Sequence, residues 1–404
     1  MTSPTTEAPP LAPPVPPSPP QRSPLWLLAL ITLTGTLAMH IFVPALPSAA
    51  LDLGASTSSV QRTLSFYIIG LAIGQLIYGP ISDRYGRRPV LLFGMVLYAA
   101  SCIAALVAPT IDSLIAARLF QALGGCTGLV LGRAIIRDSV AGDDAAKRLS
   151  MLNLIIMAGP GLSPLIGSAL TETLGWRSIF AVLSVFAVLN VIFVFLRLKE
   201  TVRGTRRGTA AVLHNYLQLL RSKRFVGYAF GGGCATTSLY AFIGAAPFIY
   251  VNQLHRPAHE VGYYLALNIL GVWFGNLTAI KLLGRIPVAR LMVAGNALSC
   301  LGAAVFFVSA VSGSLSMALT VGPMLLLTYG AGIASPTAMA QALNVNPAVS
   351  GSSSGLYGFS QMAIGAACTA LAGIGSDPAV AAGATLLAAG LLSQLAFWAA
   401  KRAG

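Results

Sequence analysis

The sequence predicts an all-α membrane protein of twelve transmembrane helices, arranged as two six-helix halves. Three observations predict it. First, only 9% of the 404 residues are charged and 56% are hydrophobic, whereas roughly 25% of a soluble protein is charged. With a mean hydropathy of +0.78, such a chain cannot cover a water-facing surface. Second, apolar runs of about 20 residues, the length that crosses a bilayer core of roughly 30 Å, recur along the whole chain. Third, one basic polar stretch divides these runs into two sets of nearly equal length, as an internal repeat requires.

Residues 1–24 are rich in Pro, Ser and Thr and read as a disordered cytoplasmic tail, since they cannot bury enough apolar surface to fold. The apolar run after them is too long for a secretory signal and reads as the first span. The spans fall at 25–46, 60–82, 89–109, 113–135, 149–171 and 175–196, then at 225–251, 260–282, 288–310, 315–338, 354–375 and 379–400. The organisation predicted is an N-terminal half at 25–197, a cytoplasmic linker at 198–224, a C-terminal half at 225–400 and a short tail at 401–404. Glycines inside the spans, such as Gly124-Gly125 and Gly271/Gly275, suit close backbone packing in lipid.

Basic residues set the orientation. With both termini in the cytoplasm, only Arg62, Arg177 and Arg256 fall outside and Arg118 falls within a span. The net charge of +14 is therefore an orientation signal in a multi-pass protein of the cytoplasmic (inner) membrane, and not the mark of a nucleic-acid binder. In the linker, Leu213, Tyr216, Leu217 and Leu220 recur at helical spacing before Arg221, Lys223 and Arg224. That pattern predicts an amphipathic helix on the inner membrane face. The five cysteines stand singly in apolar segments, so neither a disulfide framework nor a metal site is indicated.

Between spans 2 and 3 runs Gly79-Pro80-Ile81-Ser82-Asp83-Arg84-Tyr85-Gly86-Arg87-Arg88. Gly79 and Gly86 permit a tight turn and close helix approach, and Asp83 supplies a carboxylate able to hold a helix N-terminus across the two halves. The stretch resembles the Gly-x-x-x-Asp-Arg-x-Gly-Arg-Arg signature of the major facilitator superfamily. That resemblance implies a cytoplasmic gate built from Gly79, Asp83, Arg84, Gly86, Arg87 and Arg88. In span 4, Arg118 is followed by Gln121 and Gly125, similar to the family's second motif. An Arg inside lipid is costly and normally faces the bundle interior. Span 5 carries Gly159, Pro160, Pro164 and Gly167, which resemble the Gly-Pro signature of the superfamily's drug–proton antiporters. Two prolines delete backbone donors, and the glycines soften the helix. The end of span 1, His40-Ile41-Phe42-Val43-Pro44-Ala45-Leu46-Pro47, resembles the Asp-Met-Tyr-Leu-Pro-Ala-Leu-Pro stretch of the Bcr/CflA drug-resistance transporters.

One departure from that family matters: its membrane acid is His40 here. Counting from the outer ends of their spans, His40 and Arg118 both lie roughly 8–9 Å beneath the same surface. Burial and the nearby guanidinium both favour neutral imidazole. No acid falls in the middle of a span, which makes His40 the leading membrane-embedded group for proton coupling, with Arg118 competing against the proton. A hydrogen-bonded packing histidine is the alternative. Tyr67, Gln75, Gln121, Asn153, Tyr240, Phe248, Asn268, Trp273 and Gln361 place polar or aromatic groups inside spans and are the candidates for lining a substrate pocket, or else for packing helices together.

The function that the resemblance implies is secondary active export of small lipophilic or amphiphilic compounds by proton antiport. A proton-independent facilitator or an importer of a polar metabolite remains the alternative. No phosphate-cradling motif is present, four scattered histidines argue against an enzyme, and no cofactor is expected. The expected partners are the bilayer, protons and a small-molecule substrate, with the protein acting as a monomer.

Overall fold

The computed structural model describes residues 24–139, 142–201, 209–346 and 349–403. The Pro-rich segment assigned as a tail lies almost wholly outside the described residues, as does the middle of the linker. All else is helix and short turns, and the longest helices set the architecture.

Span 1 is α1 (Leu25–Ile41), a 3-10 turn (Val43–Ala45) and α2 (Leu46–Asp52). The break falls where Pro44 and Pro47 remove backbone donors. The rest of the N-terminal half is α3 (Thr57–Tyr85), α4 (Arg87–Leu106), α5 (Ile111–Ser139), α6 (Gly142–Leu174) and α7 (Arg177–Arg197). Helix α8 (Thr209–Arg221) lies in the linker. Span 7 joins α9 (Lys223–Thr237), α10 (Leu239–Phe248) and a π-helical turn (Ile249–Gln253). The C-terminal half continues with α11 (Glu260–Leu282), α12 (Val288–Val311), α13 (Met317–Leu343), α14 (Ser350–Ala372) and α15 (Pro378–Arg402). Among the described residues, 10 helices are long and apolar enough to cross a membrane. The other two spans are α6, whose first turns carry Asp144, Lys147 and Arg148, and α14, which opens on Ser and Gly.

The repeat is visible in the packing. In the first half α5 lies against α1, α3 and α4, and α4 against α7. In the second, α13 lies against α9, α11 and α12, and α12 against α15. The halves meet through α3 on α14 and α6 on α11, so the same two positions of each repeat cross over to the other. Close approach inside a half depends on glycine: a Cβ on Gly124 would sit 2.6 Å from the carbonyl oxygen of Gly94 and 2.5 Å from the backbone N of Tyr98. Large apolar residues such as Phe93, Phe195 and Leu395 point outward, as a lipid-facing surface requires.

Helix α8 differs in detail from the sequence reading. Leu213, Leu217 and Leu220 form an exposed apolar face, whereas Tyr216 turns inward and Leu219 is buried. The Tyr216 hydroxyl donates to the carbonyl of Leu76 at 3.1 Å. The helix thus has two apolar sides, one toward α3 and one exposed.

Candidate functional site

Between the halves lies a small cavity of about 10 Å³, room for about one water, lined by His40 and Val43 of span 1, Pro160 and Pro164 of α6, Leu239 and Ile243 of α10, and Leu265, Asn268 and Ile269 of α11. Only two of these side chains are polar, and both are buried. The Nδ1 of His40 is 2.9 Å from the carbonyl oxygen of Thr36, one turn earlier. A carbonyl only accepts, so Nδ1 carries the hydrogen, and in the neutral ring Nε2 is left as a bare acceptor. Asn268 faces it from the other half with neither side-chain atom bonded: its Oδ1 and Nδ2 are buried without a partner. Leaving such a group unpaired costs about 1–3 kcal/mol.

The pocket is closed on both sides. On the outer side, Gln61 Nε2 donates to the carbonyl of Gly244 at 3.1 Å, Ser168 Oγ accepts from the Gly262 amide at 3.2 Å, and His259 approaches Glu172 at 3.5 Å. On the inner side, α14 meets α3 so tightly that a Cβ on Gly358 would overlap the amide of Gln75, and Tyr216 ties the linker to Leu76.

Arg118 is wholly buried beside this pocket. Its Nη1 donates to the carbonyl of Ala38 at 3.0 Å, two residues before His40, and to Gln121 at 2.6 Å. Among the described residues no carboxylate pairs with it. Instead the guanidinium lies 4.0 Å from the ring centre of Tyr67, 5.3 Å from Phe42 and 5.9 Å from Phe180. Aromatic faces stabilise a desolvated cation by about 2 kcal/mol or more, which helps a buried charge persist without a counter-ion. Nε and Nη2 have no hydrogen-bond partner. Tyr67 is committed to this box, donating to the carbonyl of Gly35 at 2.7 Å, and Gln121 is committed too, donating to Cys102 at 3.0 Å.

Helix α6 presents two faces here. Gly159 and Gly167 turn toward α1, where a Cβ on Gly167 would overlap the carbonyl of Ile41. Pro160 and Pro164 turn toward the pocket and α11, and a Cβ on Gly262 would come within 2.7 Å of the Pro164 carbonyl.

The Asp83 cluster closes around Arg87. Its Nη1 pairs with Asp83 at 2.6 Å and donates to Ser82 at 2.5 Å, while its Nε pairs with Asp138 of α5 at 2.9 Å. Arg88 donates to the carbonyl of Phe195 at 2.7 Å, and Arg84 lies over the Tyr85 ring. The ion pair of Asp83 therefore stays within its own half. Gly86 has φ +97°, a conformation L side chains rarely adopt, and a Cβ there would meet a Glu200 carboxylate oxygen at 2.6 Å. Gly79 departs from the close approach expected of it: nothing lies within 4 Å of a Cβ at that position. Glu200 was missed from the sequence. From beyond the end of α7 it accepts from the backbone amides of Arg87 and Arg88 at 2.9 and 3.1 Å, capping α4.

The other expected lining residues scatter. Tyr240 keeps its ring 6.3 Å from that of His40. Gln75 lies at the inner seam between α3 and α14. Gln361 donates to Thr236 at 3.0 Å and joins α14 to α9. Phe248 is buried in the core, whereas Trp273 is exposed on the lipid side of α11 next to Phe274. The Asn153 side chain lies outside the described residues. The Thr36 carbonyl and the Phe42 and Phe180 rings were also missed. Nothing marks them among the many threonines and phenylalanines of the chain.

Two repeated six-helix halves enclosing a central cavity, with a charged cluster at one end of the bundle, define a membrane transporter. The chain belongs to the major facilitator superfamily, whose family model matches residues 28–370. It is similar to a bicyclomycin resistance protein homolog of Haemophilus influenzae, at 26% identity over 92% of this chain and 94% of that one. It is also similar to the multidrug transporter MdfA of Edwardsiella piscicida, at 30% identity over 72% of each chain. Among solved structures it shares the fold of a D-xylose–proton symporter, with a TM-score of 0.73 at 16% identity over 91% of this chain and 96% of that one.

Proposed function

We infer that this protein exports small lipophilic or amphiphilic compounds across the cytoplasmic membrane in exchange for protons, its two halves opening the central pocket to one face and then the other. The observation that carries the reading is the pocket itself: an apolar space between the halves, with His40 on one wall and Asn268 on the other. Apolar lining with few polar anchors suits such compounds. The drug-resistance names of the two relatives support the same direction of transport.

In this reading His40 carries the proton. Nδ1–H stays on the Thr36 carbonyl, and Nε2 takes the proton when the outer side is open. The imidazolium then sits near the fixed charge of Arg118, and that repulsion drives release toward the cytoplasm. Substrate and proton compete for the same nitrogen, and such competition is what exchange requires. Asp83, Arg87, Arg88 and Glu200 hold the inner ends of α3, α4, α5 and α7 together, so that the N-terminal half can move as one body. Both termini are cytoplasmic, with α8 lying on the inner membrane surface.

The test is transport in inside-out vesicles, with an imposed proton gradient and a panel of candidate compounds. Export reading and coupling reading separate cleanly. Flux that survives collapse of the gradient leaves a facilitator and removes the antiporter. Full proton-coupled flux in His40→Ala removes His40 as carrier.

A further inference from the structure

Where α8 gives way to α9, the second half carries a charged cleft against the end of α15. It is open, about 750 Å³ in volume, and is lined by Arg221, Ser222, Lys223 and Arg224 on one side and by Trp398 and Arg402 on the other. Four of these side chains are cations. One turn further in, the two helices touch: a Cβ on Gly227 would come within 2.7 Å of the Ala400 Cβ, and one on Gly231 within 2.6 Å of the Phe397 ring.

Among the described residues no carboxylate pairs with Arg221, Lys223, Arg224 or Arg402. The 79–88 cluster differs in this respect, since Arg87 is held there by Asp83 and Asp138. Like charges gathered without a counter-ion favour an anion among them. The start of α9 adds to this: Ser222 Oγ accepts from the Phe225 amide at 3.2 Å, which leaves the amides of Lys223 and Arg224 for an acceptor outside the helix. Arginine forks match phosphate oxygens in particular. The edge of the cleft favours a lipid over a free anion. Lys223, Val226 and Phe230 follow one another at helical spacing on α9, as do Arg402, Trp398 and Leu395 on α15, and all six are exposed. Each row runs from a cation at the end of a span to apolar groups on its flank. Trp398 stands at the change, with the Arg402 guanidinium 3.7 Å from its ring centre, the place that tryptophan takes at a membrane–water interface.

We propose that this cleft binds the phosphate headgroup of an anionic phospholipid, whose acyl chains lie along the apolar rows that end in Phe230 and Leu395. The cations and the α9 amides hold the phosphate, and Trp398 marks the depth at which headgroup gives way to chain. The occupant is a lipid of the bilayer and not the transported compound. The proposal therefore needs only that the chain spans a membrane, and it stands or falls apart from the export reading.

The experiment titrates the purified full-length protein, in neutral detergent micelles, with phosphatidylglycerol or phosphatidylcholine carrying the same brominated acyl chains, which quench a tryptophan on contact. The Trp398 signal is the difference between each protein and its Trp398→Phe counterpart. Each Lys or Arg near an anionic headgroup contributes about a fivefold gain in binding. Wild type should therefore reach half-quenching at about tenfold less phosphatidylglycerol than phosphatidylcholine. Arg224→Gln combined with Arg402→Gln should bring the two lipids to within about twofold of each other. Arg285→Gln combined with Arg290→Gln removes as much charge from the turn between α11 and α12, and should leave the preference intact. Glycerophosphoglycerol, the headgroup without chains, should not displace the lipid at equal concentration. Melting temperature reports folding, and Lys223→Gln alone, expected to lower the preference by about fivefold, replaces the cleft pair if that pair does not fold. Equal quenching of wild type by the two lipids overturns the proposal. So does an equal loss in the Arg285 and Arg290 pair, which would mean general charge attraction, or displacement by the chain-free headgroup, which would mean a site for a soluble anion.

Discussion

Asn268→Leu tests the site through its energetics. Asn268 buries a donor and an acceptor with no partner in a wall otherwise made of Leu265, Ile269 and Ile243. Leucine has nearly the same volume and no polar atoms, so the substitution removes the desolvation penalty without opening a cavity. Each unsatisfied group costs about 1–3 kcal/mol. Because the unfolded chain in a membrane or micelle also satisfies only part of its polar groups, a net gain of about 2 kcal/mol is the working figure. For a six-helix half unfolding as a unit, that corresponds to a rise in Tm of about 4–8 °C. The four buried cysteines, Cys102, Cys126, Cys234 and Cys368, supply the readout, since a thiol-reactive dye labels them only as the bundle opens. Transport of any substrate that uses the amide should fall by about tenfold or more. A variant both more stable and less active is the signature of a binding residue held at a structural cost. A lower Tm would show that Asn268 holds helices together, and unchanged transport would show that the pocket is not the substrate site.

The remaining predictions concern the inner face and the buried cation. Gly86→Ala forces a side chain into a left-handed backbone and against Glu200, so it should destabilise by about 1–3 kcal/mol or more. Gly79→Ala, with open space around it, should leave the melting curve within about 1 kcal/mol of wild type. Equal effects of the two would contradict the packing described. Glu200→Ala uncaps α4 and should cost about 1.5–3 kcal/mol for a charge-assisted bond, read as a lower Tm and faster labelling of a cysteine introduced into the 85–88 turn. Arg118→Met removes a buried charge that pairs with no carboxylate of the described residues. The expected outcome is a stable, folded protein that binds substrate but no longer responds to the proton gradient, and gradient-driven flux at the wild-type rate would refute it.

What the sequence revealed and what it hid follow from the range of the interactions involved. Spans and their division into two repeats are written in composition and local order, because lipid admits only long apolar helices. The 79–88 cluster and the span 5 motif were legible for the same reason: their residues are neighbours in the chain. Depth was legible too. Rise per residue put His40 and Arg118 at one level, and the bond from Arg118 to the Ala38 carbonyl joins those two levels. Facing was not. Trp273, Asn268 and Phe248 look alike in a sequence as aromatic or polar residues within spans, yet one meets lipid, one the pocket and one the core. Which side of α11 turns inward is decided by Gly271 and Gly275, where close contact with α13 fixes the rotation of the helix, a contact about fifty residues away. Glu200 escaped notice for the same reason: its role as a cap exists only once α7 has returned to the start of α4.

The placement of His40 and Asn268 on opposite halves has a mechanical consequence, and α6 is the element that transmits it. Its glycine face is pressed onto α1 at Leu33 and Ile41, on either side of His40, while its proline face borders the pocket against α11, the helix that carries Asn268. A shift of α1 driven by charge on His40 meets Gly167, whose backbone is already close against that of Ile41, and Gly159, which is packed on the Leu33 side chain, so little of it is absorbed there. It must pass along α6. At Pro160 and Pro164 the helix lacks the two hydrogen bonds that would resist bending, so the displacement is delivered where α6 meets α11. Close contact on one face and missing donors on the other make a single helix stiff toward α1 and compliant toward α11. In the proposed exchange of substrate for protons, that asymmetry is what would couple His40 to the wall that carries Asn268.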